Sequence, residues 1–541
     1  MRVLLIMSGA YVADDLASEF GKLPPALLPV KNRRLLELQL QSFDFEHDQK
    51  YITIPQDYPL AEADQDLLQR AEISAIPADP KVSAKTALLA AVSEILARSA
   101  GPIVSLTLVL GDTLHEYAPF PDIDSYAVGT PLPEYKWSIV DIREGQIAGV
   151  SEERHPAAGD QVLTGYFTFK HIARLVRELN RNKSLTSALS AYAAAHLVAP
   201  QRMGEWHDFG HLHTYFRARM EMTDTRSFNE FATAGRVLTK SSSREGRIDA
   251  EASWFESLPA AMRIYVPQFM GRSPDRTSYS LEYLYLSPLS DLYVFGELTK
   301  QAWANILDAV CQFVEDSRQA VSEDGIPSKF VDEYRRKGYE RLAEFAAQGG
   351  DVDRLVSVNG APPTSLRKMH DALCALLEDR KEVSEKLSHG DLCLSNILYD
   401  FRTRGVRLID PRGSNLNGEV SLYSDELYDL AKLNHSFIGG YDLILAGRYA
   451  LDRVADDSIN FRVKRTPSQE AISNQFRGLV RERFAHEDGS GDLRVLDAVT
   501  ALLFISMLPL HSDRPDRQLA FQCVASEIHS KIVLGQEGWH A

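Results

Sequence analysis

Residues 388–413 read SHGDLCLSNILYDFRTRGVRLIDPRG. Three of them could share one task. Asp391 is followed at the fifth place by Asn396, and Asp410 follows the apolar run 406–409. Phosphoryl transfer needs a carboxylate beside the attacking hydroxyl. It also needs an amide oxygen and a second carboxylate to hold Mg²⁺ against ATP phosphates, because hard cations take oxygen ligands. The D-x4-N spacing matches a kinase catalytic loop, and Asp410 stands where a metal-binding Asp belongs. The plainer alternative is a hairpin with polar ends.

The elements around these residues must bring them together. The stretch reads as a loop, a short strand at 397–399, a basic turn, a second strand ending at 409 and an acidic loop. Such a hairpin places Asp391, Asn396 and Asp410 at one end. Upstream, residues 231–242 read as two strands around Ala234-Gly235, with Lys240 ending the second. A helix at 247–258 carries Glu251. A strand lysine that contacts nucleotide phosphates and pairs with a helix glutamate is a kinase arrangement. Taken alone, Lys240 and Glu251 would be a surface lysine and an ordinary helix acid. Strands are expected at 262–271 and 280–286. Apolar residues at three-four spacing then predict helices at 301–321, 329–347, 365–386, 423–435 and 492–507. Asp425 and Asp429 lie at the start of one of them, where an acid is stabilising by itself. The basic run 462–465 reads as a solvated loop.

A second set lies near the N-terminus. Residues 2–7 are almost continuously apolar, as in a buried parallel strand, and end in Ser8-Gly9, where a backbone can approach a phosphate. Residues 103–110 form another apolar strand running into Gly111-Asp112, and a carboxylate at a strand's carboxyl end lies where open α/β sheets bind ligands. The turn 206–211, WHDFGH, offers Asp208. Asp112 and Asp208 could hold one Mg²⁺ on an NTP α-phosphate. As plain structure, each is a cap or turn residue.

The motif H-G-D-x4-N-I-L with I-D-P resembles the aminoglycoside phosphotransferase and choline kinase family. That resemblance implies a protein-kinase-like fold, Asp391 as catalytic base, and Asn396 and Asp410 as metal ligands. It makes His389 a structural part of the loop. Arg412 stands where the family has Gly or Glu. Residues 1–220 resemble the sugar-phosphate nucleotidyltransferases through Ser8-Gly9, Leu27-Leu28-Pro29-Val30, Gly111-Asp112, Thr164-Gly165-Tyr166-Phe167 and the WHDFG turn. By that resemblance Asp112 and Asp208 bind the metal, and Ser8 and Gly9 belong to the nucleotide loop. The family's second loop Gly, its Arg and its Pro-Lys are absent, leaving Lys22 and Arg154 as nearby cations.

The fusion implies an enzyme of two steps. ATP would phosphorylate a small alcohol or sugar, and the product would be coupled to a nucleotide from a second NTP. It resembles the kinase and cytidylyltransferase pairing that makes activated precursors of bacterial surface polysaccharide. Two alternatives remain: a kinase with an N-terminal domain that only binds nucleotide, and a non-catalytic scaffold.

Bulk properties set the frame. The 541 residues accommodate a domain over 1–222 and another over 223–541, with an N-lobe to about 290 and a helical C-lobe beyond. The expected class is α/β, a Rossmann-like nucleotidyltransferase domain followed by an α+β protein-kinase-like domain of two lobes. A net charge of −16 argues against a general nucleic-acid binder. Four cysteines without ligand spacing read as reduced packing residues. The first residues read as a buried strand rather than a signal peptide. The apolar run 499–510 reads as too short to cross a bilayer. The expectation is a cytoplasmic enzyme without membrane insertion.

Overall fold

Strand β1, Arg2–Met7, buries Val3, Leu4, Leu5 and Ile6 in succession. A strand apolar on both faces needs cover on both, which a parallel sheet flanked by helices supplies. Helix α1, Asp14–Phe20, follows it. β2, Gln49–Pro55, then lies parallel to β1, and β3, Ile73–Ala78, lies parallel to β2. Neither strand is foreseen by the apolar pattern. Helix α2, Ala84–Arg98, starts at Ser83, whose hydroxyl accepts from the Thr86 amide, and buries Leu88, Ala91, Val92 and Ile95 along one stripe. The chain returns as β4, Ser105–Leu110, parallel to β1 on the side away from β2. β1 therefore stands between strands reached by crossovers in opposite directions, a topological switch point. In register, Met7 pairs with Leu110, so Ser8-Gly9 and Gly111-Asp112 leave neighbouring strands at the same end of the sheet. β5, Thr113–His115, follows directly, and β6, Gln161–Phe169, extends the sheet antiparallel to β4. β7, Trp206–Asp208, pairs with β5, and α3, Leu212–Glu221, begins just after it.

This computed structural model describes residues 1–119, 123–222, 229–242, 246–322, 327–484, 493–533 and 535. Its chain separates into two compact units, Met1–Met222 with Phe295–Glu297, and Thr223–Val294 with Leu298–Ala541.

The second unit opens with an antiparallel sheet. β8, Asn229–Ala234, and β9, Val237–Ser242, form a hairpin. Helix α4, Arg247–Ser257, follows. The expected strand at 262–271 is mostly replaced by a 3-10 turn, Ala260–Tyr265, and only β10, Phe269–Arg272, is extended. Pro267 accounts for the break, because the residue before a proline is driven to extended geometry, and Val266 has φ −130° and ψ 157°. β11, Ser278–Glu282, lies between β9 and β10.

The remainder is helical around one small hairpin, with a second hairpin, Tyr449–Ala455 against Ser458–Val463, toward its end. α5 spans Lys300–Gln319, α6 Val331–Ala347 and α7 Leu366–Glu378. The first hairpin is β12, Ile397–Asp400, with β13, Gly405–Leu408. α8, Glu426–Phe437, is buried along its whole length. α9 spans Pro467–Phe484, α10 Leu493–Met507 and α11 Pro515–Val533. The apolar run is longer than expected. With its 3-10 extension, α10 reaches 19 residues, Leu493–His511, at mean hydropathy 1.8, and 78% of that window is buried in the protein. By length and composition it could cross a membrane, and packing against its neighbouring helices accounts for its apolarity. Residues 462–465 are not a solvated loop either. Arg465 donates to the carbonyls of Phe437 and Ile438 at 2.8 and 2.5 Å, satisfying the open carboxyl end of α8. All four cysteines are free and buried.

Candidate active sites

The hairpin of the second unit sets the register of its site. Ile397 pairs with Leu408, and the Ile409 amide donates to the Asn396 carbonyl at 3.0 Å, so Asn396 and Asp410 emerge side by side. Asn396 turns its amide nitrogen toward Asp391, 2.9 Å from that residue's carbonyl and 3.2 Å from Oδ2. Among the described residues, its own Oδ1 accepts only the Ser395 hydroxyl, at 3.3 Å. Asp410 has φ +57°, in the left-handed region costly for a residue with a Cβ, and its side chain stays 31% exposed. Beyond it, Gly413 presses on α4: a Cβ there would lie 2.2 Å from the Ala250 carbonyl oxygen. The acidic loop is thus anchored beside the helix that carries Glu251.

Lys240 joins the two halves. Its Nζ lies 2.6 Å from Glu251 Oε2 and 3.0 Å from Asp410 Oδ1, while Lys240 and Glu251 are 2% and 1% exposed. Glu251 also accepts from Tyr279 at 2.8 Å and from Arg247 at 3.0 Å. A charge this deep persists only when paired and hydrogen-bonded.

The catalytic-type loop is held from beneath. Asp429 on α8 accepts the amides of His389 and Gly390 at 2.7 and 2.9 Å and the Ser388 hydroxyl at 3.1 Å. His389 is fully buried; its Nε2 contacts the Ile409 carbonyl at 3.0 Å and its Nδ1 the Asp391 amide at 3.3 Å. Those partners require the neutral ring with hydrogen on Nε2, and burial lowers its pKa accordingly. Asp425 has no part in the site. It is fully buried, caps α8 and forms a bidentate pair with Arg380 at 2.6 and 2.8 Å. Sequence reasoning missed Lys432, whose Nζ lies 2.8 Å from Asp391 Oδ1. Burial would raise the Asp391 pKa, but Lys432 outweighs it and holds the group down at about 2. The available signal was a lone lysine in the apolar stretch after Asp429.

In the first unit, Gly210 borders both acids. A Cβ built there would lie 3.4 Å from Asp112 Oδ2 and 3.4 Å from Asp208 Oδ1. The Phe209 amide donates to the Asp112 carbonyl at 2.8 Å, and the β5–β7 pairing fixes Asp208 opposite Thr113. Burial, and next the charge of Asp112, pushes Asp208 up to about 7, and burial also raises Asp112. Asp208 Oδ2 is buried without a hydrogen-bond partner. Two carboxylates crowded together, one with an orphaned oxygen, fit a hard divalent cation. Trp137, Trp206 and Arg217 help to line a cavity beside Asp208.

Ser8 and Gly9 reach the same end of the sheet but are packed inside it. The Ser8 amide donates to Thr53 Oγ1 at 2.8 Å, and its hydroxyl accepts from the Ala26 amide at 3.0 Å. Ser8 is 1% exposed, so it shapes the turn rather than offering a free donor to phosphate. A Cβ on Gly9 would come within 2.6 Å of the Ala78 Cβ, so the position requires glycine for space. Lys22 is exposed, and Arg154 is bound to Asp160 at 2.8 Å.

No protein-family model and no curated protein matches the chain. Solved structures resemble its parts. A glucose-1-phosphate thymidylyltransferase from Bacillus anthracis is 13% identical over 42% of this chain and 97% of its own, with a TM-score of 0.33. Aminoglycoside phosphotransferase APH(4)-Ia, solved with ADP and hygromycin B, is 12% identical over 57% and 95%, with a TM-score of 0.37. A choline/ethanolamine kinase family protein from Mesorhizobium loti is 12% identical over 57% and 85%, with a TM-score of 0.32. The architecture is the expected one, an α/β unit followed by an α+β unit. The chemistry rests on the side-chain geometry rather than on these likenesses.

Proposed function

We propose that the chain is a two-reaction transferase that phosphorylates a small alcohol or sugar with ATP and couples the product to a nucleotide. The observation that carries the first step is the convergence of Lys240, Glu251, Asp391, Asn396 and Asp410 from distant parts of the sequence. The acceptor hydroxyl adds to the γ-phosphorus, the bond to the β–γ bridging oxygen breaks, ADP leaves, and the proton passes to Asp391. With its pKa near 2, Asp391 is an anion throughout the neutral range; it orients the hydroxyl and receives the proton late. Lys240 offsets phosphate charge, and Asn396 Oδ1 with Asp410 would hold Mg²⁺. That ion supplies Lewis-acid stabilisation of the phosphate oxygens.

The second step assigns Asp112 and Asp208 to a cation on the α-phosphate of an NTP, where attack by the phosphorylated acceptor expels pyrophosphate. The product would be an activated precursor of the kind used for surface polysaccharide. A second reading confines the first unit to nucleotide binding. Its support is the engagement of Arg154 with Asp160 and the exposure of Lys22, which leave neither nearby cation committed to the acidic pair. The test is incubation of the purified protein with ATP, Mg²⁺, each NTP and a panel of alcohols and sugars, scoring ADP and pyrophosphate separately. ADP that depends on the acceptor supports the kinase step. Pyrophosphate that depends on the phosphorylated acceptor supports the transferase step, and its absence with all NTPs leaves the binding-only reading.

A further inference from the structure

One side of the phosphotransfer site holds more positive charge than the carboxylates around it pair. The Lys337 Nζ, from α6, donates to the Tyr428 hydroxyl at 2.8 Å, and Arg412 Nη1 lies 3.4 Å from the same oxygen. Both cations also lie near the Tyr428 ring, at 4.7 and 5.7 Å from its centroid. Tyr428 precedes Lys432 by one turn of α8, so the two share a helix face, and Lys432 grips Asp391 at 2.8 Å. Arg412 follows Asp410 by two residues, and its amide donates to the His389 carbonyl at 2.8 Å. The cluster therefore borders the proposed base.

What singles it out is its lack of counter-charge. Four other deep cations of this unit have an acid: Lys240 has Glu251, Arg380 has Asp425, Lys432 has Asp391 and Arg477 has Asp497. Lys337 and Arg412 form no salt bridge or hydrogen bond with a carboxylate among the described residues, in a chain with 75 acids against 59 bases; Arg412 acts on an acid only at longer range, helping to lower Asp391. Like charges held together in a partly buried place repel one another. A bound anion removes that repulsion, and a cationic acceptor adds to it. The phenol of Tyr428 answers part of this charge. Burial would raise the Tyr428 phenol, but Lys337, Arg412 and Lys432 draw it down to about 7, and burial lowers the Lys337 amine to about 8.

We propose that the acceptor is a hydroxy compound bearing an oxyanion, a carboxylate or a phosphate, which Lys337 and Arg412 hold while Asp391 takes the hydroxyl. This rests on the phosphotransfer reading of the site. The test uses the full chain with ATP and Mg²⁺ and four probes of similar size: glycerate, glycerol 3-phosphate, glycerol and choline. ADP formation is measured by rate, and binding of each probe in the presence of ADP by calorimetry. The parent is compared with Lys337→Met, Arg412→Met and Lys337→Arg. The expected result is that one anionic probe binds at least about tenfold more tightly than glycerol, as charge-assisted hydrogen bonds imply. Lys337→Met and Arg412→Met lose that preference with an unchanged KM for ATP, and Lys337→Arg retains part of it. Whether glycerate or glycerol 3-phosphate binds tells carboxylate from phosphate. Preference for glycerol or choline, or anion binding that Lys337→Met leaves intact, overturns the proposal, as does a rise in the KM for ATP alone. Anion binding that depends on Lys337 but brings no ADP with any probe overturns the phosphotransfer reading and leaves the oxyanion site standing.

Discussion

At the scale of single residues, Lys240 does two things that mutation can separate. It neutralises Glu251 in a setting nearly closed to water, and it points at Asp410, where phosphate charge would gather. Lys240→Met removes one partner of a buried pair, although Arg247 and Tyr279 continue to hold Glu251. The loss expected is about 3 kcal/mol, at the low end for breaking such a pair. The double variant Lys240→Met/Glu251→Gln leaves no deeply buried charge unpaired, since Asp410 and Arg247 keep contact with solvent, and should regain most of that stability. It should not regain ATP affinity. Denaturant unfolding together with the KM for ATP checks both halves. A double variant with parental KM would remove Lys240 from the phosphate site and leave it a structural lysine. The comparison matters because a fall in activity for Lys240→Met alone has two causes, and only the stability measurement tells them apart.

At the scale of elements, the sequence made legible whatever depends on local order. The hairpin β12–β13 follows from an apolar run, a basic turn and a second apolar run, and its pairing brings Asn396 beside Asp410. α8 was equally visible from its three-four spacing, and α4 was expected as the helix that follows the strand of Lys240. β2 was not, because its first residues, Gln49 and Lys50, are polar and blur the buried run that follows. The turn at Ala260–Tyr265 was masked because Met262, Ile264, Tyr265 and Val266 read as strand while two prolines set the backbone. Lys337 was beyond local reading, and Lys432 showed only as a lone lysine in an apolar stretch: it is the packing of α6 and α8 that carries them to the loop of Asp391. The same holds for Glu527 on α11, which receives the Asn359 amide at 2.7 Å. Asn359 in turn exchanges hydrogen bonds with the Phe461 backbone, tying that strand to the helix. Burial raises Glu527 from the usual range to about 7. The folded state then holds this proton more tightly than the unfolded chain, so the group's contribution to stability falls as pH rises from about 4.5 to 7 and is level above. Glu527→Gln keeps the hydrogen bond and removes the titration. Its unfolding midpoint should match the parent near pH 4.5 and exceed it at pH 7.5. Equal midpoints at both values would mean that the carboxylate is solvated as it ionises.

At the scale of the whole molecule, the residues of each constellation fall within one unit. Asp112 and Asp208 lie in Met1–Met222, whereas Lys240, Asp391, Asn396 and Asp410 lie in the second unit. The named residues of each site come from one unit, so loss of a carboxylate should stop one reaction and spare the other. Asp391→Asn keeps a hydrogen-bonding group of the same shape and loses the base. Acceptor-dependent ADP formation should fall by about 10²- to 10⁴-fold, the usual contribution of a positioned acid or base. Pyrophosphate release should persist when the phosphorylated acceptor is supplied ready-made. Asp112→Asn weakens the acidic pair that would hold the α-phosphate cation, so pyrophosphate release should cease while ADP formation continues. Asp112→Asn also relieves the repulsion that raises Asp208, so the variant should melt no lower than the parent without Mg²⁺. Mg²⁺ should raise the midpoint of the first unit in the parent and leave it unmoved in the variant. This last readout needs no acceptor. If Mg²⁺ stabilises parent and Asp112→Asn alike, the cation does not sit between the two carboxylates, and the transferase step loses its metal site whatever the kinase assays give.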